Sequence, residues 1–278
     1  MPIQWFPGHM TKALRQMEKE LKNVDLIFYL LDARAPYSCL NPKLSQIAKD
    51  KQIVYVLSKC DMVEESDVER FKRELKGKNC SVVAVNAIQS NSAKPLFLLA
   101  RKLLNEKLER KSERGIDYLP KAMVVGVPNV GKSTLINNLC GRAKTETGNR
   151  PGVTKGKQWV QTESGLMLLD TPGTLWPAFD DDRVARNLAY IGSIKDQVLD
   201  TNDLAFNLIK DILPKYKNLL EARYNIKIAD DEEVLEIYED ICRSRNCILK
   251  KGELDYDRGG MMIIDDFRKG RLGKIVLD

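Results

Sequence analysis

The sequence predicts an α/β architecture, a parallel sheet with helices on both faces, followed by a smaller all-helical region. Three observations carry that expectation. Apolar strand-like runs alternate with helix-period segments through the first 177 residues, the pattern of a sheet covered on both sides. A glycine-rich loop, GVPNVGKS at 126–133, stands between one of those strands and a helix. After Trp176-Pro177 the alternation stops and helical periodicity alone continues. At 278 residues the chain is long enough for two cores, expected at 1–177 and 178–278.

The elements follow in order. Met10, Leu14, Met17, Leu21 and Val24 repeat at helical spacing with Lys and Glu between them. VDLIFYLLDAR then reads as a buried strand ending at Asp32. A helix over 42–50, a strand over 53–57, a helix over 66–76 and a strand over 81–85 come next. A long basic helix is expected over 93–114, and the strand at 121–127 runs straight into the glycine loop. Residues 157–170, with Ser164-Gly165 at the middle, read as a hairpin that returns a strand to the sheet. In the tail, helices are expected near 183–191, 201–213, 219–224, 232–243 and 257–268.

Apolar residues make up 43% and charged residues 30% of the chain, a soluble globular composition. The net charge of +6 is unevenly placed. Residues 1–177 carry 28 Lys+Arg against 18 Asp+Glu, whereas residues 178–278 carry 17 against 21. A basic front suits a polyanionic partner and equally suits plain solubility. The six cysteines form no C-x-x-C pair and His9 is the single histidine, which argues against an ordinary zinc site and for a reducing cytosol. The apolar stretch at 26–31 is far too short to span a bilayer, and no secretory signal precedes it. A cytoplasmic protein with no membrane association is expected.

GVPNVGKS matches G-x-x-x-x-G-K-[ST] in the strand-loop-helix setting that a phosphate loop requires. The backbone amides of Asn129, Val130, Gly131, Lys132, Ser133 and Thr134 would face the phosphates at a helix N-terminus. Lys132 would reach β- and γ-phosphate oxygens, and Ser133 would ligate Mg²⁺. Asp170-Thr171-Pro172-Gly173 matches D-x-x-G, in which Asp170 would hold Mg²⁺ through water and the Gly173 N–H would sense the γ-phosphate. Thr154, in RPGVTKG between these motifs, is placed to ligate Mg²⁺ when the γ-phosphate is present.

Base choice falls to Ser58-Lys59-Cys60-Asp61. Asp61 would accept from guanine N1–H and its exocyclic amine, a pair that adenine does not offer, which disfavours an ATPase. The Lys59 stem would cover the base face. This loop resembles the N-K-x-D loop of GTPases with Ser58 in place of asparagine, and the shorter side chain weakens the expected tie to the phosphate loop. Asn86-Ala87 sits where GTPases place a backbone N–H against guanine O6. The base loops therefore precede the phosphate loop, the reverse of the ordinary order. A parallel sheet tolerates such a permutation when its strands keep their neighbours. The expected domain is a circularly permuted Ras-like P-loop GTPase domain binding GTP or GDP, with its D-x-x-G loop leading directly into the helical tail.

On WFPGHM, DARAP at 32–36, PNVGKS, PGVT, DTPGTLWP and DDFRKGRLGK, the chain resembles, over nearly its whole length, the circularly permuted GTPases of the YlqF/RbgA type, ribosome biogenesis GTPase A. The resemblance implies a GTPase that binds the large ribosomal subunit during its assembly, with ribosomal RNA as the main contact. Thr174 stands where many GTPases have the water-orienting glutamine, so slow intrinsic hydrolysis that a partner accelerates is expected. Relatives of this type usually have an apolar residue there. Asn129 resembles the asparagine that helps hold K⁺ in potassium-dependent GTPases, and equally reads as a loop asparagine satisfying backbone groups. His9, beside Trp5 and Phe6, reads either as a water-positioning catalytic residue or as structural. The catalytic set is thus His9, Lys132, Thr154 and Gly173.

Asp32 and Arg34 read as a pair fixing a loop, in preference to phosphate contacts, and residues 180–182 as a solvated helix start. RNA contacts would come from the basic helix (Arg101, Lys102, Lys107, Arg110, Lys111, Arg114), the switch region (Arg142, Lys144, Arg150, Lys155, Lys157) or the tail (Arg268, Lys269, Arg271, Lys274), each otherwise a solvated face. A monomer is expected. The competing readings are a GTPase switch for a protein partner without nucleic acid, and a GTP-dependent RNA-binding module in which hydrolysis only resets the state.

Overall fold

The structure, a computed structural model, describes residues 8–48, 51–86, 94–140, 158–162, 165–176, 179 and 181–278, with the side chains of His9 and Gln158 outside that set. Strands β1 (Leu26–Asp32), β2 (Gln52–Ser58), β3 (Cys80–Val85), β4 (Lys121–Gly126), β5 (Gln158–Gln161) and β6 (Met167–Asp170) form one sheet in the order β3-β2-β1-β4-β6-β5. All pairs are parallel except β5 with β6, the expected hairpin. The central strand β1 is buried at every residue. Helices cover both of its faces, which is why LIFYLLD is a continuous apolar run and not an alternating one.

Helices α1 (Gly8–Leu21), α2 (Pro42–Ile47), α3 (Glu65–Glu74), α4 (Lys94–Ser112) and α5 (Lys132–Leu139) accompany the sheet. In α1 the apolar stripe Met10, Met17 and Leu21 is buried while its lysines face outward. Asn41 starts α2 by accepting from the Lys43 and Leu44 amides, with Pro42 in the first turn where no amide is needed.

From β1 the chain steps outward to β2 and then β3, and it resumes on the other side of β1 with β4 and β6. The switch point between β1 and β4 opens a crevice at the carboxyl ends of the strands. Register aligns those ends, Asp32 opposite Ser58, Leu30 opposite Gly126 and Val124 opposite Asp170. The motif residues therefore gather at one edge although the chain reaches them in permuted order.

The tail contains α6 (Asp182–Tyr190), α7 (Thr201–Tyr224), α8 (Val234–Ser244) and α9 (Tyr256–Arg268). Asp181 caps α6 by accepting from the Arg183 amide, in keeping with a solvated helix start. The two helices expected at 201–213 and 219–224 are present and meet end to end at a kink within α7. Pro214 lies inside it and Tyr216 departs from helical geometry (φ −128°, ψ 25°). A proline interrupts one hydrogen bond and bends the helix where packing on both sides keeps it going. Beyond α9 the chain returns to the sheet: the Ile275 amide donates to Met62 O (3.3 Å) and the Leu277 amide to Arg34 O (2.8 Å). The Asp278 carboxylate accepts from the Tyr37 and Ser38 amides, the Ser38 hydroxyl and Asn187 Nδ2. Among the described residues no helix is long and apolar enough to cross a membrane.

Phe28, fully buried in β1, has no room to be shortened without leaving a cavity. Phe28→Ala is expected to cost about 3–5 kcal/mol, read as a lowered midpoint in urea unfolding with an unchanged m-value.

Candidate active site

The phosphate loop is shaped by contacts that admit little else. Gly126, at φ 150°, approaches β1 so closely that a Cβ there would lie 2.7 Å from Leu30 O. Gly131 precedes α5, and Lys132 opens that helix. The Lys132 side chain is buried, its ammonium donating to Val127 O (2.8 Å) and Gly126 O (3.1 Å) inside the curl of the loop. Burial pushes its pKa down to about 8, with the Asp170 carboxylate acting the other way. A triphosphate entering the loop would exchange those carbonyls for phosphate oxygens.

The D-x-x-G loop lies directly on the phosphate loop. A Cβ on Gly173 would meet Pro128 Cα at 2.6 Å and Lys132 Nζ at 3.0 Å. Thr171 Oγ1 donates to Val124 O (2.6 Å) and holds the loop to β4. Ser133 Oγ donates to Asp170 Oδ2 at 3.4 Å. A hydroxyl and a carboxylate side by side are the hard oxygen donors that suit Mg²⁺. These two residues would hold the ion, which supplies charge neutralisation to the β- and γ-phosphate oxygens.

In the base loop, Ser58 is buried and its hydroxyl donates to Val130 O in the phosphate loop (2.8 Å), with Leu31 O at 3.1 Å. The shortness of serine thus does not break the tie that asparagine was expected to provide, because pairing of β2 with β1 already brings the strand end to the loop. Lys59 adopts a left-handed backbone (φ 55°) and Asp61 sits exposed on the 3-10 turn Cys60–Met62, open to a ligand. Lys59 Nζ meets Asp32 Oδ2 at 2.8 Å. Asn86 follows β3. Ala87, Thr154 and the switch segment RPGVTKG lie outside the described residues, as do the side chain of His9 and the switch cations.

Asp32 is the most constrained group at this edge. Its buried carboxylate takes a two-pronged contact from Arg34 (Nε to Oδ1 2.9 Å, Nη2 to Oδ2 2.8 Å). Burial alone would raise its pKa, and the Arg34 and Lys59 charges outweigh that and hold it well below the usual carboxylate range. The pair does fix a loop, as the sequence indicates, but it reaches much further: Arg34 Nη1 donates to Phe267 O (3.2 Å) at the end of α9. A second long-range contact escaped the sequence altogether. Asn129 Nδ2 donates to Gly192 O (2.8 Å) and Ser193 Oγ to Pro128 O (2.8 Å), so the turn after α6 clasps the phosphate loop. No local pattern marks Gly192-Ser193. Thr174 is buried, its amide donating to Gly126 O (3.3 Å) in the phosphate loop, and its hydroxyl has no hydrogen-bond partner among the described residues.

A sheet that gathers base loop and phosphate loop at one edge, while the chain delivers the base loop first, defines a circularly permuted P-loop GTPase. Comparison with known proteins agrees. A family described as 50S ribosome-binding GTPase matches residues 121–249. Ribosome biogenesis GTPase A of Bacillus licheniformis is 37% identical over 276 residues, covering 99% of this chain and 97% of the relative. The GNP-bound crystal structure of YlqF from T. maritima superposes with a TM-score of 0.64 at 26% identity, covering 96% of this chain and 97% of that one. A GDP-bound YlqF structure gives 0.66 at 25% identity, covering 95% and 98%. The chain belongs to the ribosome biogenesis GTPase A family; it binds guanine nucleotides and hydrolyses GTP.

Two outcomes follow from this geometry. Asp61→Asn is expected to weaken GTP binding roughly a hundredfold by removing two charge-assisted hydrogen bonds, and to shift preference toward XTP in a competition assay. Asp32 has a lowered folded-state pKa, so its stabilisation is present above its unfolded value of about 4 and fades as pH falls toward the folded value. The stability gap between the native protein and Asp32→Asn should therefore narrow below about pH 4, as measured by urea unfolding across that range.

Proposed function

We propose that this GTPase binds the large ribosomal subunit, assists its late assembly, and hydrolyses GTP rapidly only when the subunit stimulates it. The observation that carries this reading is the burial of Thr174 directly after D-x-x-G. The position that supplies a water-orienting glutamine elsewhere is occupied here by a short, buried side chain without glutamine's reach or its amide. Lys132 and the amides at the start of α5 would hold the β- and γ-phosphates, and the Gly173 N–H would contact the γ-phosphate. The attacking water would be positioned by His9 or by a group the subunit brings. Asn129 would offer its carbonyl oxygen to K⁺ while its amide nitrogen stays on Gly192, placing positive charge where an arginine finger acts in other GTPases.

The names and coverage of the relatives support ribosomal binding. The charge distribution narrows where RNA would touch. The tail cations are already engaged: Arg268 with Asp196, Lys269 with Asp265, Arg271 with Asp265 and Asp266, and Lys274 with Glu64. Along the basic helix and its end, Lys107 pairs with Asp25 and Arg110 with Glu106, while exposed Arg101, Lys102 and Arg114 have no ion pair among the described residues. We assign the RNA-facing cations of the described region to Arg101, Lys102 and Arg114. Residues 178–278 would read nucleotide state, through the Gly192-Ser193 clasp, for the subunit.

Turnover of GTP measured with and without large subunits, in K⁺ and in Na⁺, tests this. Subunits should raise the rate by at least about tenfold, more in K⁺, and His9→Ala should lose that stimulation while keeping GDP affinity. Co-sedimentation should favour the GTP form over the GDP form and weaken steeply with salt. Equal turnover with and without subunits, together with no co-sedimentation, would leave the protein-partner switch as the better reading.

A further inference from the structure

We propose that Asp32 and Arg34 are positioning residues for guanine recognition: Asp32 anchors the Lys59 side chain across the base loop, and Arg34 makes that anchor conditional on the docking of the α9 terminus. The proposal rests on residues 58–61 being the base loop.

A lysine at the end of a strand, with its ammonium in water, samples many rotamers, and fixing it costs side-chain entropy. Here the ammonium is held 2.8 Å from a carboxylate that is itself 1% exposed. Lys59 thus spans a defined path from its own backbone to the end of β1. An isolated buried carboxylate would not stay ionised. Arg34 supplies the compensation by gripping both carboxylate oxygens through its side chain, and its backbone amide adds a third donor to Oδ1 (3.1 Å). The position of Lys59 therefore depends on Arg34.

Arg34 in turn is fixed from the far end of the chain. Its guanidinium lies over the Phe267 ring (5.0 Å) and Nη1 donates to Phe267 O (3.2 Å) and Arg268 O (3.4 Å). These are the last carbonyls of α9, where the helix leaves negative partial charge unsatisfied. Arg268 then donates to Ala189 O (2.9 Å) and Tyr190 O (3.1 Å) at the end of α6, immediately before the turn that clasps Asn129 and Pro128. The terminus of α9 accordingly touches the base loop through Arg34 and the phosphate loop through Arg268 and the Gly192-Ser193 turn.

A plain structural brace and a positioning device differ in what their loss does to ligands. Loss of a brace weakens every ligand alike. Loss of a base-loop anchor weakens ligands that carry guanine and spares those that engage only the phosphate loop. Calorimetric titration of the full chain with GDP and with inorganic pyrophosphate at pH 7 separates the two. Asp32→Asn, nearly isosteric, is expected to weaken GDP by about tenfold and pyrophosphate by less than about twofold. Arg34→Lys, which keeps a charge beside Asp32 but loses the fork and the α9 carbonyls, should show the same selectivity with a smaller loss. In a Lys59→Met background, Asp32→Asn should add almost nothing to the loss of GDP affinity.

Equal weakening of both ligands by Asp32→Asn, or native GDP affinity in Arg34→Lys, would overturn the proposal. Should Asp32→Asn fail to fold, Arg34→Lys and Lys59→Met carry the same comparison. Asp61→Asn keeps the two failures apart. If it shifts preference toward xanthine while Asp32→Asn and Arg34→Lys spare GDP, the base loop stands and the anchor falls. If Asp61→Asn changes nothing, the base-loop reading itself is lost.

Discussion

One buried carboxylate, Asp32, organises the edge of the sheet on which the described motifs meet. Taking such a charge out of water costs several kcal/mol unless it is paired and hydrogen-bonded. The structure meets that cost with Arg34 and Lys59 together. Satisfying Asp32 forces Arg34 inward, which then requires acceptors for its remaining donors. The carbonyls at the end of α9 are the ones within reach. The fold of the last helix and the shape of the base loop are thereby tied by one electrostatic requirement at the end of β1.

The permuted order gives that tie a consequence. In this chain the D-x-x-G loop is followed within ten residues by α6, and the turn after α6 folds back on the phosphate loop through Ser193 and Asn129. Two loops of the candidate nucleotide site are therefore bonded to the helical region. Under the proposed reading, anything that shifts the helices shifts nucleotide affinity, and binding free energies make the influence reciprocal. A nucleotide that tightens the loops stabilises the helical docking by the same amount. A partner that grips the helices alters the site without touching the nucleotide.

Much of this was legible in the sequence, because its strongest signals are local. The strand-loop-helix setting of GVPNVGKS, the buried run before Asp32 and the hairpin at 158–170 depend on residues within a few positions of one another. What was not legible depends on distance. Arg34 and Phe267 are 233 positions apart, and nothing in DARAP or DDFRKGRLGK announces that one accepts from the other. Ser58 looked too short for its role because a motif carries no information on register. Once Asp32 and Ser58 are opposite each other in β1 and β2, the hydroxyl reaches Val130 O without help. The periodic segments at 201–213 and 219–224 did mark two helical stretches, and what the sequence did not show is that they meet directly at a kink at Tyr216 within α7. The ion pairs of the cations near the end of the chain were hidden for a related reason. A run such as RKGR looks like an open basic face until folding brings Asp196, Asp265, Asp266 and Glu64 beside it.

Thr174 gives the last step. Under the proposed reading a side chain that orients water must reach toward the γ-phosphate, and the buried threonine is shorter than the glutamine used elsewhere. On that reading Lys132 and the loop amides would stabilise charge on the phosphates, and the described residues would supply electrostatic help without fixing an in-line nucleophile. Such a division would favour a long-lived GTP state, since the contribution left to a partner would be positioning. The helical region, bonded to the phosphate loop by the Gly192-Ser193 turn and linked to the base loop through Arg34 and Asp32, would be the part of the molecule through which a large partner delivers it. Timing, on this view, comes from leaving one catalytic group out of a site whose other parts are held tightly.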